Sequence, residues 1–340
     1  MWELAHIGWF QEYWVARNPQ RDLGIACRPE VQRLPGVRAD ADRLYDSSQV
    51  PHDSRWALPL PDALATRRDL EAQLATTLDA LEHAGDTDDE LYFFRLALFH
   101  EDMHHEAALC MAQALGVPID DSRWQLPPHP QRSETITIEG GPGFAFDNEL
   151  QPHEVRLAGY WIDSQVVRWR EYLPFVEAGG YSDRRWWTPE GWRHIEAKEA
   201  PAPAFVMRKP GGWQQWRFGS LSTLDLDAPA CHLSCHEAAA WCRWSGRRLP
   251  TEFEWETAAL DAGDAFHWGR VWEWSASPFA AYPGFEPHPY RDYSAPWFDA
   301  RPVLRGASFA TQPRLHDPRY RNFFLPGRTD IFAGFRTCEV

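Results

Sequence analysis

Apolar residues recur at helical spacing over residues 2–17, where Trp2, Ala5, His6, Trp9, Phe10, Tyr13 and Trp14 share one broad stripe. That spacing predicts a helix. Two further amphipathic segments, 62–83 and 88–115, predict two more, the last closed by Gly116 and Pro118 as stop signals. A loop rich in Arg, Asp and Pro is expected from about 18 to 61. At 122–132 the texture changes, and Pro127, Pro128 and Pro130 mark a linker. Beyond it, short strand-like pieces alternate with Gly/Pro turns and two short helices, at about 169–178 and 236–245. The expectation is an α+β chain with a helical bundle over 1–128 and a loop-rich mixed domain over 129–340.

The third predicted helix carries Phe99-His100-Glu101-Asp102-Met103-His104-His105-Glu106. Residues four apart lie on one helix face, with Cβ atoms roughly 5–6 Å apart. His100 and His104 therefore offer two corners of a metal site. Three readings follow. His100-Glu101-x-x-His104 satisfies the zinc-protease pattern, in which Glu101 would activate a zinc-bound water, but the third ligand of its extended form is absent. The pair could equally be structural. The third reading adds His6 from the first predicted helix. One histidine on an apolar stripe is usually a satisfied core residue, but two helices offering inward imidazoles are how bundles assemble metal sites. Three neutral imidazoles with open positions suit Fe(II) that must take both a substrate and O2, and Glu106 could orient an imidazole N–H.

Composition narrows the partners. The 340 residues carry a net charge of −15 and include 19 Trp, 19 Phe and 10 Tyr. With a sequence pI of about 5.4 there is no basic stripe for phosphates, so nucleic acid is not expected. The rings fit a loop-rich core or a walled small-molecule pocket. No apolar run approaches the roughly 20 residues that span a bilayer, and Met1-Trp2-Glu3-Leu4 is no signal peptide. Six scattered cysteines suit a reduced, cytoplasmic setting, and no oligomeric state is implied. Cys231, Cys235 and Cys242, with His232 and His236 between them, include only one tight pair, and Cys242 reads as part of a packed helix face rather than a zinc ligand.

The His6 segment Trp-Glu-Leu-Ala-His-Ile-Gly-Trp-Phe, the His100-x3-His104-x-Glu106 segment, and the Arg-Leu-Pro-Thr-Glu and Val-Trp-Glu-Trp stretches together resemble the ergothioneine sulfoxide synthase family. The resemblance covers essentially the whole chain. It implies a DinB-like helical bundle joined to a formylglycine-generating-enzyme-like domain with a C-type-lectin-like core. Members usually carry a helix upstream of the His6 helix, so the bundle is expected to lack its first helix. Residues 44–61, His100-Glu-Asp-Met-His104 and Arg321-Asn-Phe-Phe-Leu-Pro-Gly-Arg328 are most similar to the selenoneine synthase branch. The resemblance implies Fe(II) held by His6, His100 and His104. It also implies that hercynine docks its imidazole beside the iron, and that O2 drives a bond from imidazole C2 to sulfur or selenium. Tyr290 matches the family's active-site tyrosine, with Tyr293 as its neighbour. Asn322 and Phe323 match positions that hold hercynine, and Arg328, Arg55 and Asp46 are candidates for the second substrate.

Two departures bear on that substrate. Met103 stands where many members place Gln, and Phe324 where members using γ-glutamylcysteine place Asp. The implied donor is therefore a selenosugar, with cysteine, as in ergothioneine synthesis, the alternative. Formylglycine generation needs a cysteine pair, but Asn322 occupies one of those positions and Cys338 has no evident partner. A non-catalytic binder on the lectin-like fold would not need the three histidines.

Overall fold

The computed structural model describes residues 1–124, 146–150, 153, 155–198 and 201–340. The expected boundary at 128/129 and most of the proline-marked linker lie outside the described residues. The chain forms two compact units: Met1–His105 with Glu286–Pro296, and Glu106–Phe285 with Trp297–Val340.

Helices dominate the first unit. They are α1 (Trp2–Gln11), α2 (Ala41–Tyr45), α3 (Ala63–Glu82) and α4 (Asp88–Leu115), the last continuing into the second unit. Asp62 caps α3 by accepting from the Ala65 N–H at 2.8 Å, which satisfies one of the orphan donors of the first turn. α1 meets α3 at Gly8, where a Cβ would stand 2.3 Å from Gln73 Oε1 and 2.4 Å from Leu70 Cδ2, so a larger residue would have to displace those side-chain ends. Two indole N–H groups fasten α2 to α1, Trp2 to Leu44 O at 2.8 Å and Trp9 to Asp42 Oδ1 at 2.7 Å.

The stripe predicted as one helix over 2–17 changes character at Glu12–Ala16, a π-helical turn. It begins at Glu12, whose buried carboxylate accepts from Gln73 Nε2 at 2.9 Å and from the Val37 N–H at 2.5 Å. The expected loop over 18–61 holds α2 and two 3-10 turns, Arg21–Ala26 and His52–Ala57.

The second unit mixes short helices and sheets. Its helices are α5 (Trp169–Glu177), α6 (Pro189–Glu196), α7 (Cys235–Ser245) and α8 (Glu252–Asp261). The strands β1 (Val206–Lys209), β2 (Gly212–Arg217) and β3 (Ser220–Thr223) form an antiparallel meander. A mixed sheet has the order β6-β5-β4-β7, built from β4 (Trp272–Pro278), β5 (Pro302–Arg305), β6 (Asn322–Phe323) and β7 (Ala333–Gly334), with β4 and β7 parallel. α6 and α8 add to the two helices expected here. Their signals were present: Thr188 caps α6 with Pro189 in its first turn, and Thr251 and Glu254 form a capping box on α8.

The Val-Trp-Glu-Trp stretch opens β4, where fully buried Glu273 pairs with Arg336 and accepts from Trp255 Nε1 at 2.8 Å. Burying these charges is tolerable because each is paired and hydrogen-bonded. No helix among the described residues is long and apolar enough to cross a membrane.

Candidate metal centre

α1 supplies His6, and α4 supplies His100 and His104. His100 Nε2 lies 3.2 Å from His6 Nε2 and 3.2 Å from His104 Nε2. The candidate ligand atoms of all three lie within 4.8 Å of one another, the one such group of His, Cys, Asp or Glu among the described residues. Donors about 2.1 Å from one ion stand about 3.0 Å apart at right angles and about 3.4 Å apart at the tetrahedral angle. The observed separation falls between these values. Three neutral imidazole nitrogens turned toward one point repel unless a cation sits among them, and such a set suits Zn, Fe or Cu.

Backbone and carboxylate contacts select the tautomers. His6 Nδ1 lies 2.7 Å from Tyr45 O, so it donates there and leaves Nε2 with its lone pair. His104 Nδ1 lies 2.6 Å from Glu3 Oε2, a close charge contact rather than a well-aligned hydrogen bond. His100 Nδ1 is buried without a hydrogen-bond partner, and its ring is stacked on Phe10 at 3.6 Å and 5°. Burial, reinforced by His104, holds the His6 imidazole down to about 3, and burial also keeps His100 well below the ordinary range. Both rings are thus neutral, the state a ligand needs. Burial pushes the Glu3 carboxyl up, but His104, His6 and Arg55 outweigh it and the net shift is downward. Arg55 completes this network, 3.9 Å from Glu3 and with its guanidinium 3.9 Å above the Trp2 ring, which stacks on His6 at 4.7 Å.

The expected role of Glu106 is corrected. Its carboxylate accepts from Trp272 Nε1 at 2.8 Å, Ser308 Oγ at 2.5 Å and Thr311 Oγ1 at 2.6 Å, all within the second unit. Its carboxylate is held by these three donors and not by an imidazole; the Tyr45 carbonyl accepts from His6 Nδ1, and Glu3 lies against His104 Nδ1. Both escaped sequence reasoning, although Glu3 stands one helical turn before His6. Glu101, which hydrolysis would require at the metal, is exposed and accepts from Gln11 Nε2 at 2.8 Å.

Tyr290 belongs to the first unit, its ring edge-on to His100 at 6.4 Å and to Phe10 at 5.0 Å. Burial raises its phenol, with Asp292 and Asp46 adding to the shift. Tyr290 and Asp46 line one cavity of about 290 Å³, whereas Tyr293, which ends a 3-10 turn, is not part of its wall. Met103 is half-buried on α4.

The remaining candidates lie in the second unit. Asn322 and Phe323 form β6; Asn322 Oδ1 accepts from the Phe323 N–H at 2.8 Å, and the Phe323 ring stacks on Phe279 at 4.2 Å. Arg328 pairs with Asp330 at 2.5 Å and stands 5.1 Å over the Phe324 ring. Cys338 and the other five cysteines are free thiols.

This mixed second unit falls in a recognised class. A sulfatase-modifying factor enzyme 1-like domain matches residues 124–270. The formylglycine-generating enzyme of Streptomyces coelicolor is 31% identical over 38% of this chain and 45% of its own. The hercynine oxygenase of Mycolicibacterium smegmatis is 33% identical over 99% of this chain and 90% of its own length. That of Mycobacterium tuberculosis is 32% identical, over 99% and 89%. The chain belongs to the hercynine oxygenase family.

Proposed function

We propose that this protein joins hercynine to a chalcogen donor with O2 as oxidant, at an Fe(II) ion held by His6, His100 and His104. The carrying observation is the convergence of three Nε2 atoms, two pairs at 3.2 Å, in a chain of this family. In the overall reaction the C2–H bond of the hercynine imidazole and the chalcogen–H bond break. A C2–chalcogen bond forms, one oxygen atom goes to the chalcogen, and the other leaves as water.

Iron would supply O2 activation at coordination positions that the three imidazoles leave open. The protein's own groups do the rest. Tyr45 O and Glu3 fix two of the imidazoles. Tyr290, whose phenol burial raises, keeps a proton on its Oη beside the His100 ring, available to the reacting oxygen and recovered from the protons that the substrates release. Asn322 and Phe323 orient hercynine, while Met103, Phe324, Arg328, Arg55, Asp46 and Tyr293 shape the donor's surroundings. The bundle is DinB-like in this reading, and the protein works in the cytoplasm.

The donor is a selenosugar, making the product a hercynine–selenium adduct on the way to selenoneine. Apolar Phe324 supports it, since it stands where members using γ-glutamylcysteine place Asp and cannot bond that donor's polar end, and Met103 likewise lacks the amide of the Gln it replaces. Cysteine is the second reading, favoured by the whole-length likeness to hercynine oxygenases. Anaerobic loading with Fe(II), then hercynine, O2 and either donor, followed by mass spectrometry, separates the two. An adduct from the selenosugar alone supports the first reading, and a sulfoxide from cysteine alone replaces it with the second.

A further inference from the structure

The three imidazoles of the cluster are not held in the same way. His6 Nδ1 donates to the Tyr45 carbonyl at 2.7 Å, and His104 Nδ1 lies 2.6 Å from Glu3 Oε2. His100 Nδ1 is buried and has no hydrogen-bond partner among the described residues. Helix α4 sets where this side chain starts, but no polar group behind the ring sets how it turns.

What lies against that ring is Phe10. The two ring centres are 3.6 Å apart and the planes differ by 5°, so one ring sits almost directly over the other. Phe10 is 1% exposed and is wedged in its turn, edge-on to Tyr290 at 5.0 Å and tilted against Trp14 at 6.2 Å. It is a fixed wall rather than a loose neighbour.

Two neutral aromatic rings do not prefer this arrangement. Each face carries negative charge density, and pairs favour offset or edge-on geometries with centres about 4.5–7 Å apart. The balance changes when one ring is electron-poor. An imidazole that gives its Nε2 lone pair to a cation becomes so, and the phenyl face then attracts it as it would a cation. The observed stack therefore suits a metal-bound His100 better than a free one. By linkage, a contact that is stronger in the bound state adds to metal affinity.

We propose that Phe10 is a positioning residue of the metal centre: its face holds the plane of the His100 ring and favours the metal-bound imidazole, in place of the hydrogen-bonded partner that this ligand lacks. The inference rests on the reading that His6, His100 and His104 hold a metal ion. Phe10 stands four residues after His6, so one turn of α1 carries both a ligand and the wall behind another ligand.

The test titrates metal-free protein with Co(II) in competition with a chelator, since the visible absorption of Co(II) reports the geometry of its ligands. Phe10→Leu should weaken Co(II) roughly 2–30-fold, the range of a cation–π contact, and should shift the visible bands. Pentafluorophenylalanine at position 10 keeps the ring shape but reverses the charge of its face. It should weaken Co(II) as well, with the melting temperature close to that of the wild type. Phe93→Leu is the control: it removes another fully buried ring of the same unit, one stacked on Trp14, and should cost stability without moving Co(II) affinity. Wild-type affinity and spectrum in the fluorinated protein, or an equal loss of affinity in Phe93→Leu, overturns the proposal. A wild type that binds no Co(II) would instead sink the three-histidine reading on which it rests.

Discussion

Glu3 and Glu106 both flank the histidine segments, and their surroundings give them opposite roles. Glu3 Oε2 lies 2.6 Å from His104 Nδ1, whereas Glu106 is consumed by Trp272, Ser308 and Thr311. Glu3→Gln should therefore lower metal affinity about 10–100-fold, the usual cost of losing a ligand-orienting group, as read by chelator competition. Glu106→Gln should leave metal affinity in place. It should instead cost stability, about 1–3 kcal/mol, because the amide leaves one acceptor oxygen for Trp272, Ser308 and Thr311 and turns an NH2 toward a donor; urea unfolding reads this. Acid offers a further check. Because His6 titrates near 3 in the fold but near 6.5 when unfolded, the metal-free unfolded chain binds more protons between those values. The stabilising difference is complete above about pH 6.5 and is lost progressively as pH falls toward 3. A melting series on metal-free protein should show stability falling through that window. A flat series would mean that His6 is already solvated. At this scale the His100/His104 pair was legible from its spacing, whereas His6 entered through its place on the apolar stripe and the family resemblance, as one reading of three. The Tyr45 carbonyl was not legible, because a backbone acceptor leaves no mark in the residue type.

At the scale of elements, the histidine cluster depends on how α1 is seated. Gly8→Ala would place a methyl 2.3 Å from Gln73 Oε1 and 2.4 Å from Leu70 Cδ2, so the Gln73 amide, which also bonds Glu12, and the Leu70 side chain must move aside. A helix interior gains up to about 1 kcal/mol from alanine over glycine, but overpacking of this kind costs about 1–3 kcal/mol. The net expectation is a lower melting temperature together with weaker metal binding, since His6 rides on the same helix. A melting temperature that rises would show that the approach can relax freely. The extents of α3 and α4 were readable because their apolar periodicity runs for many turns. α6 and α8 were missed because each is short, although the cap residues at Thr188 and Thr251 announced them. Placement of Glu286–Pro296 with the N-terminal helices could not be read, because contact across nearly 200 residues has no local pattern.

For the whole molecule, the charge of −15 argued against nucleic acid, while the aromatic content fitted a loop-rich core or a walled small-molecule pocket alike. Whole-length similarity to hercynine oxygenases gives the histidine cluster its chemical setting. The zinc-hydrolase reading makes the opposite forecast for two residues, since it needs Glu101 and can spare His6. The most direct measurement is bound iron together with hercynine-dependent O2 uptake in the wild type, His6→Ala and Glu101→Gln, with a chalcogen donor present. The account predicts stoichiometric iron and O2 uptake in the wild type and in Glu101→Gln, and neither in a folded His6→Ala. Retention of iron and uptake by His6→Ala, or their loss in Glu101→Gln, would contradict it.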